Sequence, residues 1–170
     1  QLGAGVFKAA LARAQVDPAV VEELILGNVL SAGLGQAPAR QVALAAGLPE
    51  TISPFTVNKV CGSGLKAVML AAQAVRAGDL QVVLAGGTES MSNAPHYLRK
   101  HRGGAPYGHG ILEDSLLTDG LECAHEKWHM GSAAEHTARR FKLSREELDG
   151  FAYESHRRAA VAIEQGLFKK

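Results

Sequence analysis

The chain has 170 residues, with 46% hydrophobic and 21% charged positions, so intrinsic disorder is excluded and one sizeable core or two small domains are expected. The formal net charge is +1, with acidic and basic residues interspersed, so the basic stripe of a nucleic-acid binder is absent. No apolar run approaches the ~18 residues of a membrane span, and the two cysteines, Cys61 and Cys123, are too few for a disulfide scaffold. A reducing cytoplasmic setting is the resulting expectation.

In chain order, Leu2, Val6, Ala9, Ala10 and Ala14 recur at helical spacing over residues 2–15. Asp17 before Pro18 supplies a cap and first-turn pair for a short second helix. The apolar run Leu24–Leu30 predicts a buried strand, with Gly33 and Gly35 marking the turn beyond it. Pro38 opens the next helix and Gly47 ends it. Phe55–Val60 reads as a strand, and a long helix follows from about Gly62 to Ala77, with Gly78 placed for a left-handed cap. Val82–Ala85 reads as another buried strand, closed by Gly86-Gly87. Strand, helix and strand in alternation predict an α/β fold with a parallel sheet covered by helices.

Residues 93–131 are rich in glycine, proline and histidine without clear period, and an irregular excursion is expected there. A helix over Ser132–Phe141 follows. Ser144 and Glu147 then form an S-x-x-E capping box for a final helix, on which Leu148, Phe151, Ala152, Ala159 and Ile163 share a face. The sequence begins at Gln1 and stops at Lys169-Lys170 just after the stop signal Gly166, so both ends are expected to be internal to a longer protein.

Chemistry concentrates at Val57-Asn58-Lys59-Val60-Cys61-Gly62-Ser63-Gly64-Leu65-Lys66. Here a cysteine stands where a strand ends and a long helix begins. The first N–H groups of a helix lack internal partners and carry partial positive charge, which favours the reactive thiolate. Gly62 and Gly64 permit close backbone approach, and the same N–H groups could hold the oxyanion of a tetrahedral intermediate. A lone cysteine can equally be a small buried apolar residue. Placement alone leaves both readings open.

The wording of the region decides between them. Asn58-Lys59-Val60-Cys61-Gly62-Ser63-Gly64-Leu65-Lys66-Ala67 resembles the active-site cysteine motif of the thiolase family. Ala85-Gly86-Gly87-Thr88-Glu89-Ser90-Met91-Ser92-Asn93-Ala94-Pro95 is similar to a second family signature, and Gly27-Asn28-Val29 with Gly33-Leu34-Gly35-Gln36 and Pro38-Ala39-Arg40-Gln41 to a third. Asp119-Gly120-Leu121, His129-Met130-Gly131 and Ser144-Arg145-Glu146-Glu147 continue the likeness, which therefore spans nearly the whole chain in order.

The resemblance implies a thiolase-like fold of two similar α/β halves with a loop domain inserted in the first. Residues 1–91 would be most of the N-terminal α/β domain, its first strand preceding Gln1, and residues 92–170 part of the inserted loop domain. It implies acyl transfer: condensation of two acetyl-CoA to acetoacetyl-CoA and CoA, or the reverse thiolysis, with Cys61 as acyl-thioester nucleophile and its backbone N–H in the oxyanion hole. Leu121, His129 and Met130 match positions lining the site for coenzyme A and the acyl group. The family's second cysteine and its catalytic histidine belong to the other half, so the chain alone is expected to be inactive. Cys123 does not take that role and reads as a packing or surface thiol.

The expected partners are acyl-CoA and coenzyme A as substrates, with no cofactor, no metal, no nucleic acid and no membrane. The family's tetramerisation loop would fall within roughly residues 96–118, so a homotetramer is expected of the complete enzyme. His129-Met130-Gly131 is closer to the biosynthetic, acetoacetyl-CoA-type branch. Ala133, His136 and His109 depart from the residues more common in the family, which touches local capping and packing.

Four other readings compete. His125-Glu126-Lys127-Trp128-His129 matches H-E-x-x-H, which on a helix places two histidines to bind zinc, but Gly120 and Gly131 leave little room for that helix. A degradative 3-ketoacyl-CoA thiolase or a ketosynthase-type condensing enzyme would share the fold and the nucleophile. A non-catalytic fragment is the reading outside enzymology.

Overall fold

A computed structural model of the chain describes residues 2–105 and 107–168. The terminal Lys169-Lys170 lies outside them. Two compact units part between Leu121 and Glu122.

The first unit is built around a parallel sheet in the order β2-β1-β3, from β1 (Glu23–Gly27), β2 (Ser53–Val57) and β3 (Val83–Gly87). Strand β1 is central, and its side chains alternate between two faces. Leu24 and Leu26 join α1 (Leu2–Ala14) and α2 (Pro38–Ala46) in a core with Phe7, Leu11, Val42 and Ala43. Ile25 turns the other way, onto Ala67 and Ala71 of α3 (Ser63–Ala77). Leu24, Ile25 and Leu26 are each at most 1% exposed. Burial of that extent stabilises by about 1.5–3 kcal/mol per side chain.

The helix ends follow the local signals. The Asp17 carboxylate accepts the Ala19 N–H at 2.9 Å and caps a single 3-10 turn over Pro18–Val20. Gly47 (φ +90°) and Gly78 (φ +81°) close α2 and α3 in the left-handed conformation that glycine adopts without a Cβ clash.

The strand limits depart from expectation. β1 ends at Gly27, before Val29 and Leu30, because the N–H groups of those two residues bond to the Glu89 side chain. β2 ends at Val57 because Val60 takes a positive φ of 47°, which breaks extended pairing. β3 includes Gly86 and Gly87, where a close was expected. A Cβ on Gly86 would meet the Phe7 ring at 3.2 Å, and one on Gly87 would meet the Gly64 Cα at 3.2 Å. Both glycines therefore serve packing.

The stretch expected to be irregular holds a short antiparallel pair, β4 (His96–Leu98) and β5 (Leu112–Asp114), then one wide π-helical turn over Leu117–Leu121. Arg99 pairs with Glu113 at 2.8 Å and lies over the Tyr97 ring.

The second unit is helical. A tight loop from Glu122 to His129 is closed by the Cys123 N–H on the Trp128 carbonyl at 2.8 Å. Helix α4 (Met130–Phe141) starts two residues before the expected Ser132, because His129 acts as its cap, accepting the Gly131 N–H at Nδ1 (3.2 Å). Helix α5 (Arg145–Glu164) opens on the expected capping box: the Ser144 hydroxyl accepts the Glu147 N–H, and the Glu147 carboxylate accepts the Ser144 N–H at 2.7 Å. No helix among the described residues is long and apolar enough to cross a membrane.

Candidate active site

Cys61 lies exposed in the turn between β2 and α3, and that turn is held by its own side chains. The Asn58 Oδ1 accepts the Val60 N–H at 3.0 Å. The Ser63 hydroxyl accepts the Lys59 N–H at 2.9 Å and donates to the Val60 carbonyl at 2.6 Å. A buried serine thus fastens both sides of the cysteine. The result is a positive φ at Val60, a β-branched residue for which that region is a true outlier, with a cost of order 1–3 kcal/mol. Strain of this kind persists where surrounding bonds over-determine it, and here it presents the thiol at the mouth of a helix.

The N–H groups at that helix start are not all free. Gly62 donates to the Lys59 carbonyl at 3.0 Å and Ser63 to the Val60 carbonyl at 3.1 Å. Those two donors close the turn, whereas the N–H of Cys61 has no backbone partner among the described residues.

Three strand and helix ends meet behind the thiol with nothing larger than glycine between them. A Cβ on Gly27 would fall 2.5 Å from the Ser63 carbonyl carbon and 2.6 Å from the Gly64 nitrogen. Gly64 in turn faces Gly87. The glycines at the carboxyl ends of β1 and β3 let the first turn of α3 sit directly on the sheet. The motif around Cys61 points to close approach at Gly62 and Gly64. It does not reveal the partners Gly27 and Gly87, which lie in other motifs.

Cys61 opens into a cleft of about 430 Å³ whose walls include Val29, Leu30, Val60, Met91, Leu116 and Leu121. The lining is mainly apolar, as for pockets that bury small ligands. Leu121 thus shares the cleft with Cys61. A separate hollow of about 610 Å³ beside the β4–β5 pair holds neither cysteine. His129 and Met130 belong to the second unit, at the start of α4.

The segment His125–His129 is a loop, not a helix, so its two histidines do not stand one helical turn apart and the zinc-hydrolase reading loses its geometric basis. Cys123 is half-buried in the same loop, its Sγ accepting the Glu126 N–H at 3.5 Å. His136, one of the departures from the family wording, packs its ring 5.2 Å from that of Trp128.

A parallel sheet with an exposed cysteine at a strand–helix turn, opening into an apolar cleft, defines an α/β protein with an accessible thiol at its strand ends. The comparisons narrow that class. A sequence profile described as "Thiolase, N-terminal domain" matches residues 1–170. The acetyl-CoA acetyltransferase of Escherichia coli is 55% identical over 168 residues, covering 98% of this chain and 43% of that protein. Acetyl-CoA acetyltransferase 2 of Arabidopsis thaliana is 52% identical, with 99% and 42% covered. Among solved structures, the Acat5 thiolase of Ascaris suum in complex with coenzyme A superposes with a TM-score of 0.91 at 45% identity, over 99% of this chain and 44% of that one. The chain belongs to the thiolase family and has its α/β fold. It spans less than half the length of these relatives.

Proposed function

We propose that the protein is an acyltransferase that condenses two acetyl-CoA to acetoacetyl-CoA and CoA, or runs the reverse thiolysis, through an acyl group carried on Cys61. The observation that carries this reading is the Cys61 thiol at the strained β2–α3 turn, opening into an apolar cleft. Support also comes from relatives named as acetyl-CoA acetyltransferases and a structural neighbour holding coenzyme A.

In the first half-reaction the Cys61 sulfur attacks the thioester carbonyl, and a sulfur–carbon bond forms as the carbonyl oxygen gains charge. The N–H of Cys61 donates to that oxyanion, an interaction that strengthens as charge develops. Collapse breaks the carbon–sulfur bond to CoA, which leaves as the thiol carrying the proton that Cys61 gave up. In the second half-reaction a carbanion from another acetyl-CoA takes the acetyl group from Cys61. The base that removes its proton comes from outside these residues, so this chain alone turns over nothing. Leu121 is a wall for the acyl group within the cleft. His129 and Met130 remain coenzyme A-side residues by their place in the family motif, in the inserted domain assigned to residues 92–170.

A degradative 3-ketoacyl-CoA thiolase is the second reading, and a Staphylococcus epidermidis relative, 48% identical, is named a probable acetyl-CoA acyltransferase. Cytosolic residence, a place in fatty acid metabolism and a homotetramer complete the proposal, on the strength of family likeness. Limiting iodoacetamide at neutral pH, read by peptide mass spectrometry, tests it. Cys61 should react much faster than Cys123, and acetoacetyl-CoA should protect it. Equal rates without protection in the natural-length protein would remove the reading.

A further inference from the structure

Two carboxylates bracket the β1–β3 pair. At the amino ends, Glu22, just before β1, accepts the N–H groups of Gln81 and Val82, which lead into β3. At the carboxyl ends the arrangement is reciprocal. Glu89, just after β3, accepts the Val29 N–H at 2.9 Å and the Leu30 N–H at 3.0 Å, both just after β1. A third donor adds to the second carboxylate: the Asn28 Nδ2 reaches Glu89 at 2.9 Å. The two latches do the same job for the sheet. Only the second stands among residues that line the Cys61 cleft, where Val29, Leu30, Thr88 and Glu89 form one wall.

That second latch has a further cost. The Asn28 amide nitrogen bonds both the Thr88 carbonyl and Glu89, each at 2.9 Å, and both are acceptors, so the amide cannot be turned over. Its Oδ1 is then left buried without a partner among the described residues, in a side chain of a residue only 3% exposed. A buried acceptor without a donor is destabilising and uncommon. It is maintained here by an arrangement that aims donors at one carboxylate beside the nucleophile.

We propose that Glu89 is a positioning residue for the thioester: its carboxylate holds residues 28–30 as the cleft wall facing Cys61, so that the acyl-CoA is held in reach of the thiol. Glu89 acts through backbone shape, not by touching the reacting atoms. Misplacement of a wall by about 1 Å can cost on the order of 100-fold in a positioned reaction. The inference rests on the acyl-CoA reading of the cleft.

The test compares Glu89→Gln, Glu89→Asp and Glu22→Gln in the natural-length protein. Each is read by the acetoacetyl-CoA concentration that half-protects Cys61 from iodoacetamide, by the unprotected Cys61 rate, and by thermal unfolding. A glutamine presents an NH2 where a backbone N–H must be accepted, so E89Q should raise the half-protecting concentration about tenfold or more. E89D keeps the charge with a shorter reach and should fall between E89Q and wild type. E22Q should shift unfolding comparably but leave protection within about twofold. The unprotected rate should hardly change in any variant, because Cys61 is already exposed. Equal loss of protection in E22Q and E89Q, or none in E89Q and E89D, would overturn the proposal. A wild type that acetoacetyl-CoA does not protect would instead overturn the thioester reading, and the positioning role with it.

Discussion

The two compact units reach order by different means. Residues up to Leu121 contain the buried core: Leu24, Leu26, Ala39 and Ala43 of the sheet and its helices are at most 1% exposed. From Glu122 onward, α4 and α5 bury no residue, and Phe151 is 82% exposed. The first unit is specified by long-range packing. The second is specified by local devices: the His129 cap, the Ser144–Glu147 box, and the ion pairs of Arg145 with Asp149 and of Glu154 with Arg157 and Arg158. Exposed pairs of that kind contribute only a few tenths of a kcal/mol each. The strained turn that carries Cys61 belongs to the first kind of structure.

The largest expected effect sharpens this contrast. Leu26→Ala should cost about 2–5 kcal/mol in urea unfolding, from lost burial and the cavity left behind. Phe151→Ala should stay within about 0.5 kcal/mol by the same measurement. Equal costs would break the contrast. Next comes Gly27→Ala, whose Cβ meets the backbone of Ser63 and Gly64. Because backbone must move, the cost should be about 1–3 kcal/mol or more, and the faster alkylation of Cys61 relative to Cys123 should be lost with it. Ser144→Ala should cost about 1 kcal/mol through the α5 cap, visible as faster amide exchange in the first turn of α5.

The smallest effect is a pH dependence. The N–H groups of Val82 and Gln81 hold the Glu22 carboxyl below its usual value of 4.5. A carboxyl lowered on folding contributes stability that is present above the unfolded value and is lost as pH falls through the lowered folded value. Thermal midpoints of wild type and Glu22→Gln should therefore differ at neutral pH and converge in acid below the usual carboxylate range. A gap that widens in acid would contradict the bonding described.

Much of this architecture is legible in the sequence where the signal is local. Gly47, Gly78 and the Ser144–Glu147 box mark helix ends by themselves, and the run Leu24–Leu30 marks a buried strand, although the strand stops at Gly27. What escapes is set by partners far along the chain. Glu89 captures Val29 and Leu30 from about 60 positions away, so no window around either motif reveals why β1 stops at Gly27. The glycines at 27, 64 and 87 make sense only together. The β4–β5 pair is missed because three-residue strands carry too little alternation to read. The H-E-x-x-H spacing is discounted already in the sequence, where Gly120 and Gly131 leave little room for a helix, and the loop between Cys123 and Trp128 denies it one. The place of Cys61 between β2 and α3 is legible because its motif is contiguous and lies at one strand–helix junction.

On the proposed reading, Cys61 carries the acyl group. The most direct test is to mix the natural-length protein with acetoacetyl-CoA, quench in acid and map the peptides by mass. An acyl group of acetyl or acetoacetyl mass on the Cys61 peptide, absent from the Cys123 peptide and abolished in Cys61→Ser, is the predicted result. Acyl mass on neither cysteine under turnover, or on Cys123 alone, would contradict the account.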